Sequence, residues 1–159
     1  MDCFTLLKQD HDEVRQLFKQ CESQGAKEGA KKVFQELARN LAVHAKLEEA
    51  LFYPRLEDEK AVSDLVEEAY EEHEAVEELL AEMASMSPQD EAWAEKLEEL
   101  KQNVEHHVKE EEGELFPKAA KIIDKDEAAD LGETMAEEKK DMLKGSHGAA
   151  KDVFERLGL

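Results

Sequence analysis

Apolar residues along this chain recur at steps of three and four, the period of a helix with one buried stripe. The longest unbroken run is Val62, Val66, Ala69, His73, Val76, Leu80 and Met83. Three further stripes read the same way. They are Phe4, Leu7, His11, Val14, Phe18 and Cys21; then Val33, Leu37, Leu41, His44, Glu48 and Leu51; then Trp93, Leu97, Leu100, Val104, His107 and Glu111. The pattern predicts helices over about Asp2–Glu22, Glu28–Leu56, Val62–Ser85 and Ser87–Phe116. Ser87-Pro88 offers a cap followed by a first-turn proline. Pro54 should perturb the second helix, and Pro117 should bend or stop the fourth. A fifth helix is expected from about Glu127 to Lys144, with a break at Gly145-Ser146-His147-Gly148 and a resumption to Leu157.

The chain repeats itself. "HAKLEEALFYP" from His44 to Pro54 has a counterpart in "HVKEEEGELFP" from His107 to Pro117, and the surroundings of His11 and His73 also agree. His11 and the pair His44/Glu48 thus reappear as His73 and the pair His107/Glu111 at nearly one offset. Each unit is a helix hairpin, and two hairpins make a four-helix bundle with an approximate two-fold axis. The expected fold is all-α: a bundle over residues 1–124, with a C-terminal helical extension over 125–159 packed on it.

Composition agrees and excludes some functions. Hydrophobic residues form 41% of the 159, enough for one domain with a core, and Gly and Pro are scarce. The formal charge of −20 opposes nucleic-acid binding and attachment to anionic membranes. Solvated acidic helix faces account for most of it. Cys3 and Cys21 fall on one predicted helix, roughly 27 Å apart at the rise of an α-helix, too far for a disulfide. They fit small buried hydrophobes in a reducing compartment. With no leader pattern and no apolar run near ~20 residues, a cytoplasmic location is expected.

All four stripes carry a histidine, and two carry a glutamate. A buried carboxylate without a partner costs several kcal/mol, and no basic residue lies on these stripes near enough in sequence to neutralise both. A single such histidine is more often a hydrogen-bonded core residue than a ligand; six residues in a duplicated pattern point to ligation. His and Glu at i and i+4 share a helix face and can donate to one ion. Four imidazoles and two carboxylates suit two metals bridged by the carboxylates. Mixed nitrogen and oxygen donors favour iron, with manganese or zinc possible. His106 sits about 100° off the stripe and reads as a surface residue. His147, in the Gly-Ser break, reads as a loop residue.

Residues 3 to 118 resemble the hemerythrin-like (HHE cation-binding) proteins. The resemblance rests on His11, His44-x-x-x-Glu48, His73 and His107-x-x-x-Glu111, with Phe-Tyr-Pro or Phe-Pro after each pair. It implies an up-down bundle around a non-haem di-iron centre, bridged by Glu48 and Glu111, often with an oxo or hydroxo group. The chain departs from the oxygen-carrying members. Those place a second histidine four residues after that of the third helix, where this chain has Glu77, and end with His-x-x-x-x-Asp. An anionic donor in place of an imidazole stabilises Fe(III), which argues against simple oxygen storage. Glu77 is therefore expected as a seventh ligand. Tyr70, three residues before His73, is a candidate to border the cavity, where a phenol could donate a hydrogen bond to a bound oxygen species or act as a redox-active neighbour; the plainer reading is a tyrosine at the bundle edge.

Two functions follow. One is a di-iron protein that binds or reduces oxygen, peroxide or nitric oxide, with catalase-like turnover an open question. The other is an iron or oxygen sensor that signals to a partner through its C-terminal helix. A ferritin-like site would need Glu-x-x-His pairs and a zinc peptidase His-Glu-x-x-His, and neither occurs.

Overall fold

The computed structural model describes residues 1–144 and 151–159, so the reading of His147 lies outside the described residues. Every regular element among them is helical. Helix α1 (Cys3–Gln24) starts at Asp2, whose carboxylate accepts from the Thr5 amide, and ends at Gly25 with φ 57°. Helix α2 (Gly29–Leu47) runs into a π-helical turn, π1 (Glu48–Phe52), and continues as α3 (Tyr53–Leu56). Helix α4 (Ser63–Ala84) and α5 (Trp93–Glu110) form the second hairpin, and α5 runs through π2 (Glu111–Leu115) into α6 (Phe116–Ala119). Helix α7 (Lys125–Leu143) is capped by Asp124, and the short α8 (Lys151–Leu157) closes the chain.

The prolines do not stop their helices. Proline has no N–H and its ring clashes with the carbonyl four residues back. A turn widened by one residue relieves both. The Tyr53 amide, next to Pro54, donates to the Glu48 carbonyl, and the Phe116 amide, next to Pro117, donates to that of Glu111. The widened turns begin at Glu48 and at Glu111, the two acidic residues of the buried stripes. π turns inside α-helices occur frequently at functional sites.

Helix α1 packs on α2, and α4 on α5, as two hairpins whose stripes meet in one core. Phe4, Phe52 and Phe116 close one end with edge-to-face contacts. At the other end Phe34 meets Trp93. There Lys31 donates to the carbonyls of Met83, Ala84 and Met86, satisfying the C-terminus of α4. Helix α7 lies against α1 and α2, and α8 against α2 and α4. Gly132 lets α7 approach the N-terminus of α1 closely, since a Cβ there would sit 2.2 Å from the Met1 carbonyl oxygen. Cys3 and Cys21 are buried free thiols, each pushed up to about 11, chiefly by burial.

Candidate metal centre

The four stripe histidines and two stripe glutamates are buried together in the middle of the bundle. His11 and His44 pair their rings within the first hairpin, with centroids 4.9 Å apart. His73 and His107 do so within the second, at 4.8 Å. The carboxylates lie between the pairs. Glu48 Oε1 is 3.1 Å from both His44 Nε2 and His73 Nε2, and 3.7 Å from His107 Nε2. Glu111 reaches His11 Nε2 at 3.1 Å with one oxygen and His107 Nε2 at 3.4 Å with the other. Donor atoms of His11, His44 and Glu111 lie within 4.8 Å of one another, and so do those of Glu48, His73 and His107.

The outward nitrogen of each imidazole is held as well. Nδ1 of His11 meets Glu112 at 2.6 Å, that of His44 meets Asp10 at 3.0 Å, that of His73 meets Glu49 at 2.7 Å, and that of His107 meets Glu72 at 2.8 Å. A carboxylate can only accept, so each Nδ1 carries its proton and donates it. All four Nε2 atoms then turn toward the centre, the arrangement in which an outer carboxylate orients a ligating histidine. The two-fold repeat extends to these acids. Asp10 and Glu72 precede the first histidine of each hairpin and hold the second. Glu49 and Glu112 follow the bridging-position glutamates and hold the first histidine of the opposite hairpin. Asp10 alone is nearly enclosed, and Lys139 of α7 reaches it with Nζ 2.6 Å from Oδ1.

These donors fit a pair of cations. Among the described residues, His44 Nε2 and Glu48 Oε2 are buried without a hydrogen-bond partner. His73 Nε2 and His107 Nε2 face each other at 3.2 Å, a repulsive contact between two lone pairs unless positive charge lies between them. Protonation responds to the same need. Burial alone would lower the His44 pKa, but the charge of Glu48 and the hydrogen bond to Asp10 push it up to about 10. Against the same opposition from burial, His107 rises well above its ordinary value, chiefly through Glu111, and His73 rises through Glu48 and Glu49. Glu48 is opposed by burial and held well below the carboxylate range by these imidazoles. Protons thus stand in for cations.

Two residues singled out in the sequence, Glu77 and Tyr70, lie outside the two donor sets. Glu77 belongs to neither donor set. One turn beyond His73 it faces α8, and Arg156 Nη1 lies 2.5 Å from its Oε1. Tyr70 packs edge to face against the ring of Tyr53, and it is Tyr53 that reaches the donors. The Tyr53 hydroxyl donates to Glu111 Oε2 at 2.5 Å and lies 3.3 Å from His73 Nε2. Burial, then the charges of Glu111 and Glu48, keep this phenol well above its ordinary pKa and therefore neutral. Asp10, Glu49, Glu72 and Glu112 went unrecognised in the sequence, although acid-His and Glu-Glu doublets recurring in both halves were a signal. His106 is exposed, as its position off the stripe implies, beside Glu72 and Glu110 on the outer face of α4 and α5.

The comparisons with known proteins bear on the same residues. The chain is 27% identical over 116 residues to a protein named DNA nickase from Nostoc sp. (strain PCC 7120 / SAG 25.82 / UTEX 2576). The match covers 73% of this chain but 33% of that protein, so the chain spans about a third of its relative's length. The fold is that of a solved hemerythrin HHE cation-binding-domain protein from Mycobacterium kansasii, with a TM-score of 0.82 and 24% identity, covering 98% of this chain and 99% of that one. The family model described as the hemerythrin HHE cation-binding domain matches residues 4–119, a span that holds all six donors and their four outer carboxylates. The chain is a metal-binding, hemerythrin-like protein and belongs to the hemerythrin HHE cation-binding domain family.

Proposed function

We propose that this protein holds two iron ions, one at His11, His44 and Glu111 and one at His73, His107 and Glu48, and that it binds or reduces oxygen, peroxide or nitric oxide there. The observation that carries the reading is the double anchoring of the histidines. Four Nδ1 atoms are tied to carboxylates and four Nε2 atoms converge with two further carboxylates. A merely structural polar core would not need every imidazole in one tautomer. Nor would it leave His44 Nε2 and Glu48 Oε2 without a hydrogen-bond partner among the described residues.

Bound iron supplies the electron exchange with a small oxidant that these side chains cannot supply themselves. The chain does the rest. Phe116 stacks parallel to the His11 ring at 6.0 Å, and Phe52 covers the neighbouring wall, so bulk water is kept out on that side. The outer carboxylates hold each Nδ1–H and so aim each Nε2 at the centre. Tyr53 keeps a neutral hydroxyl at the edge of both donor sets, hydrogen-bonded to Glu111 and placed to turn its O–H as a hydrogen-bond donor toward a bound small molecule.

The test is anaerobic reconstitution with ferrous iron, followed by metal counting and by peroxide loss and oxygen release. About two irons per chain with sustained peroxide consumption is the expected result. Fewer than about one iron per chain would end the reading. A sensor reading is favoured by one specific contact, the line Lys139–Asp10–His44, which joins α7 directly to a donor. A stoichiometric colour change with a shift in helix stability, and no turnover, would select it. The relative's name, DNA nickase, does not transfer on present grounds. The matched region is a third of that protein, and a charge of −20 opposes phosphate contact.

A further inference from the structure

A narrow cleft between α2, α4 and α8 leads to the metal centre. Its walls are Leu41, Ala45, Val76, Leu80 and Val153, and His73 forms its floor. Its open volume is about 20 Å³, room for one molecule of the size of water or dioxygen. On other sides the centre is plugged: by Phe52 and Phe116 near His11, and by the edge-to-face pair of Tyr53 and Tyr70 near His73. Helix α8 roofs the cleft. Val153, Phe154 and Leu157 are buried under it, and Val153 forms part of the wall. Arg156 reaches across to Glu77, and Arg39 sits 4.9 Å over the Phe154 ring.

Resting on the metal-centre reading above, we infer that this cleft is the entry path for a small neutral molecule, and that α8 is its cover, latched by Arg156 on Glu77. Three observations support it. The Glu77 Oε1 atom is buried beside the cleft and meets Arg156 of α8 as an ion pair. Arg156 is largely exposed, and exposed ion pairs hold weakly, so the latch can open under thermal motion. The mouth balances Lys46 and Arg156 against Glu49 and Glu77 while the walls are apolar. A neutral diatomic or peroxide crosses such a passage without desolvating a charge. An anion does not.

The experiment measures nitric oxide and azide binding to the iron-loaded full chain by stopped flow. The Arg156→Ser variant is expected to bind nitric oxide at least about fivefold faster, with the resting absorption spectrum unchanged. Azide should gain less with Arg156→Ser, because Glu77 is left unneutralised. Ala45→Phe should slow nitric oxide at least about tenfold. A second readout needs no iron. In the zinc-loaded full chain, dissolved dioxygen should broaden the methyl resonances of Val76, Leu80 and Val153 selectively, and Ala45→Phe should abolish this. Rates equal within twofold in all variants, or no selective broadening, would overturn the cleft as an entry path. Selective broadening in a chain that takes up no iron would sink the proposed redox function and leave the path standing.

Discussion

Asp10 shows how much of the centre depends on residues that never touch an ion. It accepts from His44 and from Lys139, and burial, which opposes its ionisation, is outweighed by these two partners, so its pKa is lowered. Asp10→Ala leaves the His44 Nδ1–H and the Lys139 ammonium without their acceptor. The expected outcome is a metal affinity about 10–100-fold weaker, measured by chelator competition, and a stability loss of about 3 kcal/mol by urea titration. His44 gives a pH dependence of definite sign. In the metal-free protein its pKa stands at about 10 against an ordinary 6.5. Its contribution to stability is therefore complete below about pH 6.5 and is lost as pH rises through 10. The melting temperature of the metal-free protein should fall from pH 7 to 10, and that of the zinc-loaded protein should not share the fall. Conversely, metal must displace these protons, so apparent affinity should weaken as pH drops. The donors themselves were legible because each replaces an apolar residue on a periodic stripe. The outer acids were not, since a residue one place off a stripe points about 100° away and resembles any solvated acid.

The π turns are the elements through which the sequence pattern and the geometry part. A strict α-helical period carries Tyr53 away from the face of Glu48. One extra residue in π1 brings both inward, and the phenol reaches Glu111 across the bundle. That is why Tyr70, read on an unbroken helix, drew attention instead. Proline signals a disturbance from sequence alone, but whether the helix stops, kinks or widens depends on what the next turn can bury. Tyr53→Phe tests the element at its tip. Removing the hydroxyl leaves a buried Glu111 oxygen without its donor, and about 1–3 kcal/mol of stability should be lost in the metal-free protein. In the iron-loaded protein the charge-transfer bands should move while iron content stays near that of the parent. Unmoved bands would mean the phenol lies idle. Glu77, one turn beyond His73, lies outside both donor sets and pairs with Arg156 of α8.

At the scale of the whole molecule, the C-terminal extension is part of the core rather than an appendage. Met135, Met142, Phe154 and Leu157 are buried, and α7 is seated through Gly132 against the start of α1. Gly132→Ala forces that seat apart and should cost about 1–3 kcal/mol, read as a lower melting temperature. The four-helix plan was legible because hairpins repeat in the sequence. The position of α7 and α8 was not, because their contacts depend on partners far away in the chain.

Glu112 steadies His11, and Glu49 steadies His73. Each hairpin therefore finishes an imidazole belonging to its twin, and neither is complete by itself. Severing the backbone between Asp58 and Glu59, in the turn that joins them, should yield two pieces that co-elute when mixed with zinc and separate in a chelator. The peptide link would then serve mainly to raise the local concentration of one half near the other, and the cations would be the true mortar between two otherwise unfinished bricks.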